Sequence, residues 1–128
     1  MLVNTPISLG ELVDKISILK VKQKNIKEEN KLIQVIKEYK FLQEVLMQHV
    51  TKEEIDTYLK ELININSKLW VIEDEIRNCE RKKQFDQIFI NLARSVYFTN
   101  DKRANIKLNI NEKFGSELVE VKSYEKYS

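Results

Sequence analysis

The chain has 128 residues, 42% hydrophobic and 33% charged, which suits one helical domain over 1–128 and excludes a disordered tail. Twenty-two basic residues against 20 acidic ones leave a formal charge of +2, too little to predict nucleic-acid or acidic-membrane binding. One cysteine excludes an internal disulfide framework and a cysteine-built zinc site, and no apolar run approaches the roughly 20 residues that span a bilayer.

Two glycines and one proline are too few for the turns of a sheet protein, so a few long helices are expected. Residues 1–7 hold the proline and read as an extended lead-in. Ser8 with Glu11 makes a capping box. Leu9, Leu12, Ile16, Leu19, Gln23, Ile26, Asn30 and Ile33 then alternate spacings of 3 and 4, a heptad seam with two polar members. The stripe shifts to Ile36, Tyr39, Leu42, Val45, Leu46 and Val50, as at a stutter. With no breaker before about residue 48, the pattern predicts one helix over 9–48, roughly 60 Å long. Such a helix must be a coiled-coil arm or must bend.

Thr51 and Glu54 form a second capping box. The seam Ile55, Tyr58, Leu62, Ile65, Leu69, Ile72, Ile76 and Cys79 predicts a helix over 52–82 with a soft end, since no Gly or Pro stops it. From Phe85 the text is apolar on nearly every side through Phe98, which predicts a helix over 85–114 enclosed by other helices or by a second chain. Gly115 reads as its C-terminal cap. Residues 106–121 also admit a strand pair, but Ala104, Arg103, Lys107 and Glu112 favour helix. The tail, 115–128, is expected to be extended, with Tyr124 and Tyr127 docking on the helices. The fold expected is all-α: a three-helix antiparallel coiled-coil-like bundle with one very long N-terminal helix and an extended C-terminal tail.

His49 at the tip between two helices reads as a solvated capping partner, and Cys79 on an apolar seam as a small hydrophobe. No catalytic residue, cofactor or metal site is expected, and the chain reads more as a binding protein than an enzyme. The lysines between 15 and 31 spread around the helix circumference with Glu28 and Glu29 among them, a solvated face. The informative polar residues are those set in apolar text: Trp70, Glu73, Asp74, Arg77, Arg94, Asn100, Asp101 and Arg103. Arg94 and Asp101 share a stripe with Ile90, Tyr97, Ala104 and Leu108, whereas Asn100, Arg103 and Lys107 share another with Val96. These eight residues are either an ion-pair network that sets helix register or the lining of a ligand pocket.

The stretches ISLGELVDKISILK (7–20), LWVIEDEIR (69–77), FDQIFINLARSVYFTNDKRANIK (85–107) and GSELVEVKSY (115–124) resemble a family of short, uncharacterised helical bacterial and phage proteins. That family looks like a domain of unknown function associated with glycosyltransferase or lipopolysaccharide-type genes. The resemblance implies a mainly helical domain and no established reaction.

The seams lead to the expectation of a cytoplasmic homodimer acting as an interaction or scaffold module, without a membrane span and with a protein partner in reach. Gln23, Asn30, Glu73/Arg77 and Arg94/Asp101 would set its register. The alternative is a small helical enzyme or ligand-binding protein with an inter-helix polar pocket for a phosphorylated or sugar-nucleotide ligand.

Overall fold

The computed structural model describes residues 1–127; Ser128, the last residue of the expected tail, lies outside the described residues. Its elements are four helices, α1 (Leu9–Asn25), α2 (Glu29–Met47), α3 (Lys52–Arg81) and α4 (Gln87–Phe114), and no strand occurs among the described residues. The single long N-terminal helix expected over 9–48 is therefore incorrect, and so is the three-helix bundle built on it. Ile26 and Glu28 take extended backbone angles, α1 ends at Asn25, and α2 doubles back along α1.

The reversal has a physical reason. A straight helix of that length would leave most of its apolar stripe in water, whereas the fold-back brings Leu46 and Val50 onto Leu12, Val13 and Ile16. Each such aliphatic side chain stabilises the fold by about 1.5–3 kcal/mol when fully buried. Charge marks the break: Lys22 and Lys24 occupy the last turn of α1, and Glu29 the first turn of α2, each favourable to its helix dipole. The polar seam members Gln23 and Asn30 consequently belong to different helices.

Enclosure is also distributed differently from expectation. The enclosed helix is α1, which packs against all three others and buries eight of its 17 residues. By contrast α4 buries only Lys107, Ile110 and Asn111, and its first half, apolar on every side, is largely open to solvent.

Local chemistry explains the remaining boundaries. The Thr51–Glu54 capping box forms in full: the Glu54 amide donates to Thr51 Oγ1 at 3.2 Å and the Thr51 amide to Glu54 Oε1 at 2.9 Å. At Ser8 only half of one forms, because Glu11 turns away to Lys107. The soft end of α3 is closed by Lys83 at φ 54°, with the Gln84 amide on the Cys79 carbonyl at 2.9 Å. Asp86 then caps α4 by accepting from the Ile88 and Phe89 amides. Gly115, at φ 65° and ψ 42°, ends α4 in the left-handed region. The segment after it forms neither helix nor strand among the described residues, so the hairpin alternative does not form.

Candidate functional site

Gly10, Asp14 and Ser17 lie on one face of α1 at spacings of 4 and 3. Gly10 lets α4 approach closely: a Cβ there would stand 2.4 Å from the Lys107 carbonyl oxygen. Its amide donates to Asn111 Oδ1 at 2.7 Å, which pins the crossing.

One turn on, the fully buried Asp14 is met from two helices. Arg103 of α4 is bidentate on its carboxylate, with Nε to Oδ1 at 2.9 Å and Nη2 to Oδ2. Asn66 of α3 donates from Nδ2 to Asp14 Oδ1 at 3.0 Å and to Ser17 Oγ at 2.7 Å. Ser17 in turn donates to the Asp14 carbonyl at 2.6 Å. Lys107, a turn beyond Arg103, pairs with Glu11 at 2.7 Å and with Glu120 of the tail at 3.0 Å. The hydrogen bond from Arg103 to Asp14 raises the guanidinium pKa above its usual value against the opposing effect of burial. Burial alone would lower the Lys107 pKa, but hydrogen bonds to Glu11 and Glu120 and the nearby Asp14 hold it above that of an ordinary lysine. Glu120 is held below the usual carboxylate range by Lys122 and then Lys107.

Beside this network a cleft of about 340 Å³ opens between α1, α3 and α4. Ile18, Val21 and Leu69 give it apolar walls, and Trp70, Glu73, Asp74, Arg77, Asn100 and Arg103 line the rest. Six of the eight polar residues singled out in the sequence thus meet at one place. Helical spacing explains it: Trp70, Glu73, Asp74 and Arg77 fall within two turns of α3, and Asn100 and Arg103 are one turn apart on α4. Arg77 and Glu73 form an exposed pair within α3 at 3.3 Å. Arg103 thus both pairs with Asp14 and lines the cleft.

The other two residues, Arg94 and Asp101, lie elsewhere. With Tyr97 and Asn100 they line a second, larger hollow of about 610 Å³ between the outer side of α4 and the tail. Arg94 donates weakly to Tyr97 Oη at 3.4 Å. Asp101 accepts the Tyr124 hydroxyl at 3.0 Å on one oxygen and the Tyr127 hydroxyl on the other. The Tyr127 ring packs edge-on against Tyr97 and Phe98, with centroids 5.3 and 5.2 Å away.

Asp14, Ser17, Asn66, Glu11, Glu120 and Asn111 are absent from the residues chosen on sequence. Among the described residues no group of three or more His, Cys, Asp or Glu side chains could hold a metal ion, and no helix is long and apolar enough to cross a membrane.

No curated protein and no solved structure matches the chain. The α1 stripe, the cleft and the docked tail all lie within residues 3–127, the span matched by the model of a family of unknown function (DUF6165), and the chain belongs to that family.

Proposed function

We propose that the chain is an interaction module that works as an antiparallel homodimer through the outer face of α4. The carrying observation is a second heptad seam that stays partly exposed and is crossed only by the tail: Ile90, Arg94, Tyr97, Asp101, Ala104 and Leu108, at spacings of 4, 3, 4, 3 and 4. Ile90, Tyr97 and Leu108 are 46%, 43% and 38% exposed although the tail is docked. The seam is about 27 Å long.

Its charge order selects the partner. Arg94 and Asp101 sit symmetrically about the Tyr97–Phe98 position, so an antiparallel second copy sets each arginine beside the other copy's aspartate twice over. Ile90 then falls opposite Asn105, one residue from the small Ala104. A parallel copy would oppose like charges. Asp101 already accepts two hydroxyls, but a carboxylate has about four lone-pair sites, which leaves room for the incoming guanidinium. Among the described residues Arg94 has no carboxylate within salt-bridge distance, so it arrives unpaired. The resemblance noted from the sequence extends this reading to a cytoplasmic scaffold placed beside glycan-assembly enzymes.

Sedimentation equilibrium with charge reversal tests the reading. The native chain should be dimeric, and Arg94→Asp should weaken the dimer at least about 100-fold through two like-charge contacts. The double variant Arg94→Asp/Asp101→Arg should restore it. A native chain that stays monomeric at high micromolar concentration, or a dimer indifferent to Arg94→Asp, overturns the proposal.

A further inference from the structure

Beyond the dimer, and independent of it, we infer that the cleft between α1, α3 and α4 binds a small organic cation, an ammonium or guanidinium carried on an apolar stem. Glu73, Asp74, Arg77 and Arg103 line the cleft, and Arg103 is already bidentate on the buried Asp14. With Arg103 committed to Asp14, the cleft lining sets Glu73 and Asp74 against Arg77 alone.

The two arginines are also engaged. Arg103 cannot turn to a ligand without stranding a carboxylate that has no exposure at all, at a cost that a surface anion could not offset. Arg77 is matched by Glu73. A phosphate dianion entering the cleft would meet occupied cations and surplus negative charge, which argues against the phosphorylated ligand that the polar residues alone suggest.

Asp74 is the charge left over. It lines the cleft, and among the described residues it has no salt-bridge or hydrogen-bond partner. Trp70 lies four residues before it on α3, one turn away and on the same side. A cation seated on Asp74 would therefore have the indole within reach, and Ile18, Val21 and Leu69 would contact its stem. Asn100, across the cleft on α4, offers an amide to a ligand hydroxyl or amine.

The chain has one tryptophan, so its intrinsic emission reports directly from this wall. Emission should be titrated on the full chain with agmatine, spermidine and choline, and separately with inorganic phosphate. The expected result is a saturable change with at least one of the three cations and none with phosphate. Asp74→Asn should weaken that binding at least tenfold, with an unchanged melting temperature confirming that the variant folds. Three outcomes each overturn the inference: no saturable response to any of the cations, a response that survives Asp74→Asn intact, or saturation by phosphate. Since Asp74 lies on α3 and is not a member of the outer seam of α4, the variant's oligomeric state should be native, which separates failure here from failure of the dimer.

Discussion

The α3–α4 hairpin is built on different physics in its two halves. Where it packs on α1, Ile55, Leu62, Ile65, Asn66 and Leu69 of α3 and Lys107, Ile110 and Asn111 of α4 are buried, and the polar members among them are hydrogen-bonded or ion-paired across helices. Where it runs past the buried part, from about residue 70 to 102, only Cys79 is buried, while Val71, Phe85, Ile88, Ile90, Tyr97 and Phe98 are exposed. The first half is specified by a charged centre inside a core; the second is held by a helix pair with little behind it. Apolar text in a sequence therefore does not say which surface is inside. The first half of α4, which reads as apolar on every side, is open, and the helix carrying a buried aspartate is enclosed.

The sharpest way to break this comparison is to remove one ion pair from each half. Arg103→Met leaves the Asp14 carboxylate buried without its bidentate partner, which should cost about 3–5 kcal/mol in urea denaturation. Glu73→Gln removes an exposed pair in the distal half and should change stability by less than about 0.5 kcal/mol. Arg103→Lys should recover only part of the loss, because a single ammonium does not reproduce the planar fork that meets both carboxylate oxygens. Equal losses for Arg103→Met and Glu73→Gln would show that the two halves are not distinguished by burial.

The next effect concerns the helix crossing itself. At Gly10 an added methyl group meets the Lys107 carbonyl, backbone that cannot swing aside, and pushes α4 away from the Asn111 contact. Gly10→Ala should therefore destabilise the chain by about 1–3 kcal/mol, the usual range for overpacking, although alanine is the better helix former. A neutral or stabilising result, read from the shift in denaturation midpoint, would mean that propensity outweighs close approach at this crossing.

These residues also show how far sequence reasoning reaches. Helix ends were legible where side chains announce them: Ser8, Thr51 with Glu54, and Gly115 all cap helices. The reversal after Asn25 was not, because Glu28 precedes α2 without a side-chain cap and no glycine or proline marks the turn. Its trace is electrostatic, a run of lysines giving way to Glu28 and Glu29, and in a continuous-helix reading that run looks like a solvated face. The cleft residues were legible because local spacing places Trp70 to Arg77 together. Asp14 was not, since its partners lie 52 and 89 residues away and only tertiary packing brings Asn66 and Arg103 to it.

The smallest expected effect belongs to the tail, which joins the two halves by setting Glu120 on Lys107 and two tyrosines on Asp101. The signs at the two ends of the pH range are opposite. Glu120 has its pKa lowered below the ordinary 4.5 by Lys122 and Lys107, so its contribution is present above that value and fades as pH falls through the depressed one. Tyr124 and Tyr127 have theirs raised above 10.0 by donating to Asp101, Tyr127 to about 12. Their contribution is present below pH 10.0 and is lost as the pH rises through the raised values. The tail should thus stay docked across the neutral range and release at either extreme. Tyrosinate absorbance checks the alkaline side: two of the five tyrosines should titrate late, and Asp101→Asn should return both to the ordinary range. Because Asp101 also belongs to the outer seam of α4, that variant should weaken dimerisation together with tail docking, whereas Tyr127→Phe should loosen the tail alone. If Asp101→Asn leaves the late tyrosines unmoved, another group holds the tail, and the seam and the tail do not share Asp101.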